Sequence, residues 1–281
     1  MFHVRKMESE DSPFAVELAN TMNWNMTPED FELNMQLEPN GCFILLDGSK
    51  PVGTASCISY GKVGWFGNLV VKEAHRKQGA GSQLVKHALN YLRNKGTTTI
   101  GLYAYPYLTA FYAKLGFERD IDFMVLKSNS VFALPESERN LENAGINDLP
   151  QIATLDSNCF GSSRKRLFNL ILQNPNNFGF IAFERSQEVG YIGAKGFSEA
   201  AEVGPLICKR SQPKTASRLL KSVLSRLKGV EAYMYLPAAE SFLLDVAFKA
   251  GFTENFQLTR MFSGPMVAKN CIYMAESLER G

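Results

Sequence analysis

The sequence predicts an α/β (α+β) fold made of two copies of one domain, each a mixed, mostly antiparallel sheet flanked by helices. Two observations carry this reading. The first is a strand–turn–helix unit. The apolar run Gly67-Asn68-Leu69-Val70-Val71 leads into the basic, glycine-bearing turn His75-Arg76-Lys77-Gln78-Gly79-Ala80-Gly81-Ser82. Leu84, Val85, Ala88, Leu89 and Leu92 then recur at the spacing of one helical face. The second is an internal repeat. Phe43-Ile44, Val52-Gly53 and Gly67 recur as Phe180-Ile181, Val189-Gly190 and Gly204, each 137 residues on. Leu84, Val85, Leu89, Leu92 and Gly116-Phe117 recur as Leu219, Leu220, Leu224, Leu227 and Gly251-Phe252, each 135 residues on. An offset held across several elements is hard to obtain from unrelated α/β segments.

In the first copy the pattern predicts a strand at Phe2–Lys6, helices at 13–22 and Pro28–Leu37, and strands at Cys42–Asp47, 52–59 and Val63–Val71. A helix over 82–95, a strand over 98–104, a helix over 108–115 and a strand over 117–126 complete it. Strands and helices mixed in this order favour a largely antiparallel sheet. Thr27 stands as an N-cap before Pro28. The second copy repeats the order, its first helix opening near Asp148 with Pro150 in the tolerant first turn. The copies divide into residues 1–128 and 139–281. Residues 129–138, rich in small residues and proline, form the linker.

Bulk properties narrow the function. The 281 residues suit one large domain or two ordinary ones, and 45% are hydrophobic. Thirty basic and 28 acidic residues leave a net charge of +2, too small for the basic field of a nucleic-acid binder. No apolar run is long enough to span a bilayer and the start carries no signal region, so a soluble, cytoplasmic protein without a membrane partner is expected. The five cysteines, Cys42, Cys57, Cys159, Cys208 and Cys271, are odd in number, scattered, and show no metal-ligand spacing. They point to a reducing compartment and to no metal site. Oligomeric state leaves no trace in the sequence.

The turn at residues 76–82 suits an anion. Consecutive main-chain N–H groups converge where the positive end of a helix dipole lies. It lacks the Gly-Lys-Ser/Thr ending of a P-loop and the third glycine of a dinucleotide fingerprint. Arg76, Gly79 and Gly81 match the Gln/Arg-x-x-Gly-x-Gly/Ala signature of the GCN5-related N-acetyltransferase (GNAT) superfamily, and Phe111-Tyr112-Ala113-Lys114-Leu115-Gly116-Phe117 matches its late helix. The chain therefore resembles that superfamily, in a tandem form with a divergent C-terminal copy. The resemblance implies acetyl-CoA as cofactor. It implies a diphosphate site on Arg76, Lys77, Gln78, Gly79, Ala80, Gly81 and Ser82, and a pantetheine arm along Leu69, Val70 and Val71, where two strands splay apart. It implies Tyr112 as the acid that protonates the departing thiolate, a backbone N–H near Val70 for the oxyanion, and a primary amine, small or peptidic, as acceptor. Trp24 and Asn25 resemble an acceptor-side stretch; a hydrophobic staple beside the Thr27 cap is the competing reading. Tyr105 stands where many relatives carry an asparagine. Glu29, Asp30 and Glu118 are the carboxylates available as general base. Alternatives to the enzyme are a non-catalytic acyl-CoA sensor and a peptide-bond-forming transferase fed by a charged transfer RNA.

The second copy departs where chemistry should sit. Its loop, Lys209 to Ala216, is two residues shorter and has no glycine; Pro213 removes a backbone donor, and Ala247 replaces Tyr112. It reads as a scaffold or acceptor-pocket wall, with one cofactor expected per chain.

Overall fold

The strands of the two copies run into one continuous sheet. The structure, a computed structural model, describes residues 1–135, 141–196, 200–267 and 271–281; the last three linker positions, 136–138, lie outside them. The first copy contains β1 (Phe2–Lys6), α1 (Ser12–Asn20), α2 (Pro28–Leu37), β2 (Cys42–Asp47), β3 (Lys50–Ser59) and β4 (Val63–Val71). It continues with α3 (Ala80–Asn94), β5 (Thr99–Ala104), α4 (Thr109–Ala113) and β6 (Glu118–Ser128). The second contains β7 (Leu141–Asn143), α5 (Leu149–Phe160), α6 (Lys165–Gln173), β8 (Phe178–Glu184), β9 (Gln187–Gly196) and β10 (Ala200–Lys209). Then come α7 (Pro213–Arg226), β11 (Glu231–Pro237), α8 (Ser241–Lys249), β12 (Thr253–Ser263) and β13 (Cys271–Met274).

The sheet order is β1-β2-β3-β4-β5-β12-β6-β11-β10-β9-β8-β7, with β13 on β10. Only β4–β5 and β10–β11 run parallel; the other named pairs are antiparallel. The two last repeat strands cross over. β12 of the second copy lies between β5 and β6, and β6 of the first lies between β12 and β11. Each copy thus supplies a strand to the other's sheet. Residues after β6 also dock on the second copy: Val131 is buried and its N–H donates to Val230, while the Phe132 N–H donates to Ala250.

Amphipathic helices close each half. Leu84, Val85, Ala88, Leu89 and Leu92 of α3 are buried against Phe43, Ala55, Phe66 and Leu102 of the sheet. Their counterparts on α7, Leu219, Leu220, Val223 and Leu224, bury against Ile192, Val203 and Leu206. Burying one such side chain is worth about 1.5–3 kcal/mol, which is why the repeat survives best on these faces.

The cysteines differ from expectation. Cys42, Cys57 and Cys208 are free and buried, but Cys159 and Cys271 form a disulfide with their Cα atoms 5.8 Å apart. The partners are 112 residues apart in sequence. Only the docking of β13 beside the end of α5 brings them together, so their scatter along the chain hid the pair. No helix among the described residues is long and apolar enough to cross a membrane.

Candidate active site

The site begins where β4 leaves β5. Their pairing is limited to Val63–Trp65 against Thr99–Gly101. Beyond it, β4 keeps β3 as neighbour on one side only. The β3–β4 register shifts between Val70 and Gly67, so Asn68 and Leu69 face one residue of β3, and Asn68 has a φ of 52°. Such a bulge sharpens the local twist and turns a strand away from its neighbour. The Lys72 N–H donates to Val52, which fixes the alternation: Val70 opposite Thr54 directs its backbone to β3, and Val71 directs its backbone to the open edge. Arg76 Nε donates to the Val71 carbonyl at 2.9 Å. Of the two groups Val71 turns to the edge, the N–H is the one left available.

In the turn after β4 the N–H groups of His75 and Arg76 bond back to Lys72 and Glu73, and side chains bridge to nearby carbonyls. Gln78 Nε2 donates to the Ala74 carbonyl at 2.8 Å, and Arg76 gives its Nε to Val71. Lys77 (φ 60°) and Gly79 (φ 86°) take left-handed conformations, and Gly79 caps α3. Gly79 suits that conformation, having no Cβ to strain it. No protein acceptor among the described hydrogen bonds engages the N–H groups of residues 77–82. These donors stand at the N-terminus of a helix of 15 residues, where an anion is favoured by about 0.3–1 kcal/mol from the dipole alone.

Below the splayed strands lies a cavity of about 320 Å³. Phe66, Gly67, Asn68 and Leu69 enter it from β4, Tyr103 and Ala104 from β5, and Tyr112 from α4. Trp24 and Asn25, in the segment before α2, line it as well. Trp24 Nε1 donates to Tyr105 Oη at 2.9 Å, so the tyrosine at the departing asparagine position anchors that wall. Tyr112 is buried, and no described hydrogen bond occupies its hydroxyl. Burial, with a smaller contribution from Tyr107, pushes the phenol up from its ordinary value, which keeps it protonated at neutral pH. Of the residues singled out in sequence, Leu69, Tyr112, Trp24, Asn25, Asp30 and Tyr105 share this cavity. Val70 and Val71 are buried on β4, and residues 76–82 sit in the turn beyond.

The second copy supplies much of the wall. Glu202 from β10, Tyr233 and Tyr235 from β11, Asn255, Phe256 and Leu258 from β12, and Leu278 and Glu279 of the C-terminal segment all face the cavity. None of these was visible in the sequence, because the second copy's motifs are eroded and the strand crossover has no local signature. Lys195 of β9 holds the acids from behind, contacting Glu202 at 2.5 Å and also Glu276. Arg280 Nε meets Glu276 at 3.0 Å. Burial alone would raise the Glu276 carboxyl, but Arg280 and Lys195 overcome it and hold the group down at about 2. Of the carboxylates considered as bases, Asp30 lines the cavity and accepts the Thr27 N–H at 2.9 Å, while Glu29 and Glu118 do not line it.

In the second copy the corresponding groove is occupied. β10 bulges at Gly204-Pro205 and parts from β11 after Val203, as β4 parts from β5. The gap is filled by β13, which pairs with Leu206–Lys209, the repeat counterparts of Leu69–Lys72. The second turn also spends its donors: the Gln212 N–H bonds to Lys209, and those of Thr215 and Ala216 both bond to Gln212. No three His, Cys, Asp or Glu side chains among the described residues group as a metal site.

This fold sets a splayed strand beside a helix-start turn with unengaged main-chain donors. Comparison with known proteins then identifies the family. The model of the acetyltransferase (GNAT) family matches residues 5–117, and that of an acetyltransferase (GNAT) domain matches residues 152–273. The chain belongs to the GNAT superfamily and carries two GNAT domains in tandem. A candidate acetyltransferase of Pyrococcus horikoshii superposes with a TM-score of 0.83 at 20% identity, over 100% of this chain and 96% of that one. A GCN5-related N-acetyltransferase of Sphaerobacter thermophilus superposes with a TM-score of 0.68 at 13% identity, over 93% and 95%. A tandem GNAT protein from the clavulanic acid biosynthesis pathway superposes with a TM-score of 0.63 at 14% identity, over 95% and 100%. At these identities the likeness is one of fold. No curated protein sequence matches the chain.

Proposed function

We propose that the protein is an acetyl-CoA-dependent N-acetyltransferase that moves an acetyl group to a primary amine by direct attack. The observation that carries this is the continuity of three features in the first copy: six unengaged N–H groups at residues 77–82, the open edge of β4, and a cavity reached by the Tyr112 ring. They fit a diphosphate, an extended amide-bearing arm and a thioester in that order. Residues 77–82 would hold the diphosphate, with the donors converging as in other helix-terminus anion sites. Leu69 and Val71 on either side of Val70 would pair with the arm, as an added strand pairs with a sheet edge. Bound there, the cofactor supplies an activated acetyl group.

The chain's own groups then do the remaining work. A free alkyl amine has a pKa near 10.4 and is almost wholly protonated at neutral pH, so a site that accepts a proton is required. The N–H groups on the open edge of β4 are suited to hold the oxygen on which negative charge grows. Tyr112, kept neutral by burial, has a proton for the departing sulfur. On this reading the reaction belongs to the N-terminal GNAT domain, residues 1–128, with residues 139–281 as scaffold and acceptor wall. The filled second groove favours this over a sensor that holds a regulatory ligand there. The free, buried Cys42, Cys57 and Cys208 favour a cytoplasmic setting; the Cys159–Cys271 bridge counts against it.

The test is a screen of amines that follows thiol release from acetyl-CoA, run on the intact chain and on Tyr112→Phe. Turnover is expected to fall on the order of 10²–10⁴-fold in the variant, with calorimetric affinity for acetyl-CoA unchanged. Thiol release from no amine at all would refute the enzyme reading.

A further inference from the structure

We propose that Glu279, delivered by the C-terminal segment, is the proton acceptor for the incoming amine. The inference rests on the acetyltransferase reading above and goes beyond it by assigning the missing base. Four carboxylates line the cavity: Asp30, Glu202, Glu231 and Glu279. Glu202 has both oxygens taken, one by the Tyr235 hydroxyl at 2.5 Å and the other by Lys195 at 2.5 Å. Asp30 is committed to capping α2 through the Thr27 N–H and hydroxyl. Glu231 accepts the Tyr233 hydroxyl at 2.8 Å and pairs with Lys127 at 3.3 Å, a third of its side chain exposed at 34%. Asp30 and Glu231 each keep a second oxygen with no described contact, as does Glu279, whose Oε1 meets Arg280 at 2.5 Å. Glu279 differs from Glu231 in burial, its side chain only 12% exposed, and from Asp30 in capping no helix.

Its position is equally specific. The Glu279 main chain lies against Gly67, so close that a Cβ on Gly67 would sit 2.6 Å from the Glu279 Cα. Gly67 lies in the stretch of β4 that no longer pairs with β5, next to the Asn68–Leu69 bulge. The carboxylate is thereby carried to the mouth of the splay, where the thioester is expected. Trp65 Nε1 donates to the Leu278 carbonyl at 3.1 Å and the Tyr60 hydroxyl to the Arg280 carbonyl at 3.1 Å, which pins the segment on both sides of Glu279. Burial raises the carboxyl to about 7; Arg280 lowers it, and Glu202 on β10, Asp30 on α2 and Glu276 add to the rise. Lys195 on β9 acts at one remove, bound to Glu202 and Glu276. A base titrating near 7 is well matched to work at neutral pH.

The step balances. Glu279 takes one proton from the ammonium form of the acceptor. The freed lone pair on nitrogen forms the C–N bond, and the C–S bond of the thioester breaks with its electron pair going to sulfur. Tyr112 protonates that sulfur and regains a proton from the nitrogen, which carries one too many after attack. The proton on Glu279 passes to solvent, so the net products are amide, free thiol and one proton.

The experiment compares the full-length wild type with Glu279→Gln and Glu279→Asp, measuring thiol release against pH, acetyl-CoA affinity by calorimetry, and thermal melting. Wild-type kcat/KM is expected to rise with pH through a limb near 7. Glu279→Gln is expected to lose that limb and to lower kcat on the order of 10²–10⁴-fold, while acetyl-CoA affinity stays within about threefold. Glu279→Asp keeps a carboxylate and is expected to retain the limb at a reduced rate, which a purely structural role would not produce. An active wild type whose folded Glu279→Gln variant keeps both rate and limb overturns this assignment alone. A wild type that binds acetyl-CoA and acetylates no amine overturns the acetyltransferase reading, and this one with it.

Discussion

Replacing Gly67 by alanine tests whether the two ends of the chain build one site. The new Cβ would stand 2.6 Å from the Cα and 2.7 Å from the Cβ of Glu279. Carbon atoms rest at about 3.5–4.0 Å, so the C-terminal segment must withdraw by about 1 Å. It is not free to do so without loss. It is tied to Trp65 and Tyr60 by hydrogen bonds of 3.1 Å, and its Glu276 pairs with the buried Lys195 of β9. Overpacking of this kind costs about 1–3 kcal/mol, which for a chain of this size lowers the melting point by about 2–10 °C. A displacement of about 1 Å at a reacting group lowers turnover by up to about 10²-fold. Melting by circular dichroism and thiol release with the best amine would measure both, with acetyl-CoA affinity expected to hold. Gly81→Ala is the control for melting alone, because Gly81 belongs to the turn proposed to hold the diphosphate. Its Cβ meets only Phe111, at 3.5 Å, so the first turn of α3 gains alanine and the chain is expected to melt at or slightly above wild type. If Gly67→Ala melts and turns over like wild type, the C-terminal segment is not part of the site.

Further outcomes follow from the same geometry. Calorimetry is expected to find one acetyl-CoA per chain, because β13 fills the second groove; a stoichiometry of two would show that β13 yields. Reduction of Cys159–Cys271, or Cys271→Ser, is expected to destabilise the chain by up to about 5 kcal/mol, the loop-entropy value for partners 112 residues apart, read as a lower melting point. Stability should also carry a pH signature. The Glu279 carboxyl is raised to about 7 from 4.5, so the folded state binds the extra proton and stability falls as pH rises from about 4.5 through 7. Glu279→Gln should flatten that slope. Glu276 is held down at about 2, so its contribution is present above about 4.5 and is lost as pH falls toward 2. Melting curves between pH 3 and 8 would separate the two; a Glu279→Gln profile parallel to wild type would contradict the first.

Local physics made much of this protein readable in advance. The faces of α3 and α7 announce themselves because a buried stripe must recur at helical spacing. The turn at residues 76–82 announces itself because consecutive main-chain donors at a helix start need glycine at the left-handed position, Gly79. Tyr112 and Gly116-Phe117 mark the late helix for the same reason, and the constant offset between the copies follows from two cores packed alike. These are properties of contiguous residues, and they sufficed for the family and for naming Leu69, Tyr112, Trp24 and Asn25 on the first copy's side of the cavity.

The rest depended on contacts between residues far apart in sequence. Nothing near β6 or β12 says that each strand will cross to the other copy, because a strand's alternation specifies a buried face and leaves its neighbour open. The same holds for β13 in the second groove, for the pairing of Cys159 with Cys271, and for Glu279 against Gly67. The carboxylates weighed as bases from sequence lay near the first copy's motifs. The one set against the splayed strand is 212 residues from Gly67 along the chain. A carboxylate's solvation and pairing are set by what the fold packs around it, so only the tertiary structure separates Glu279 from the other acids.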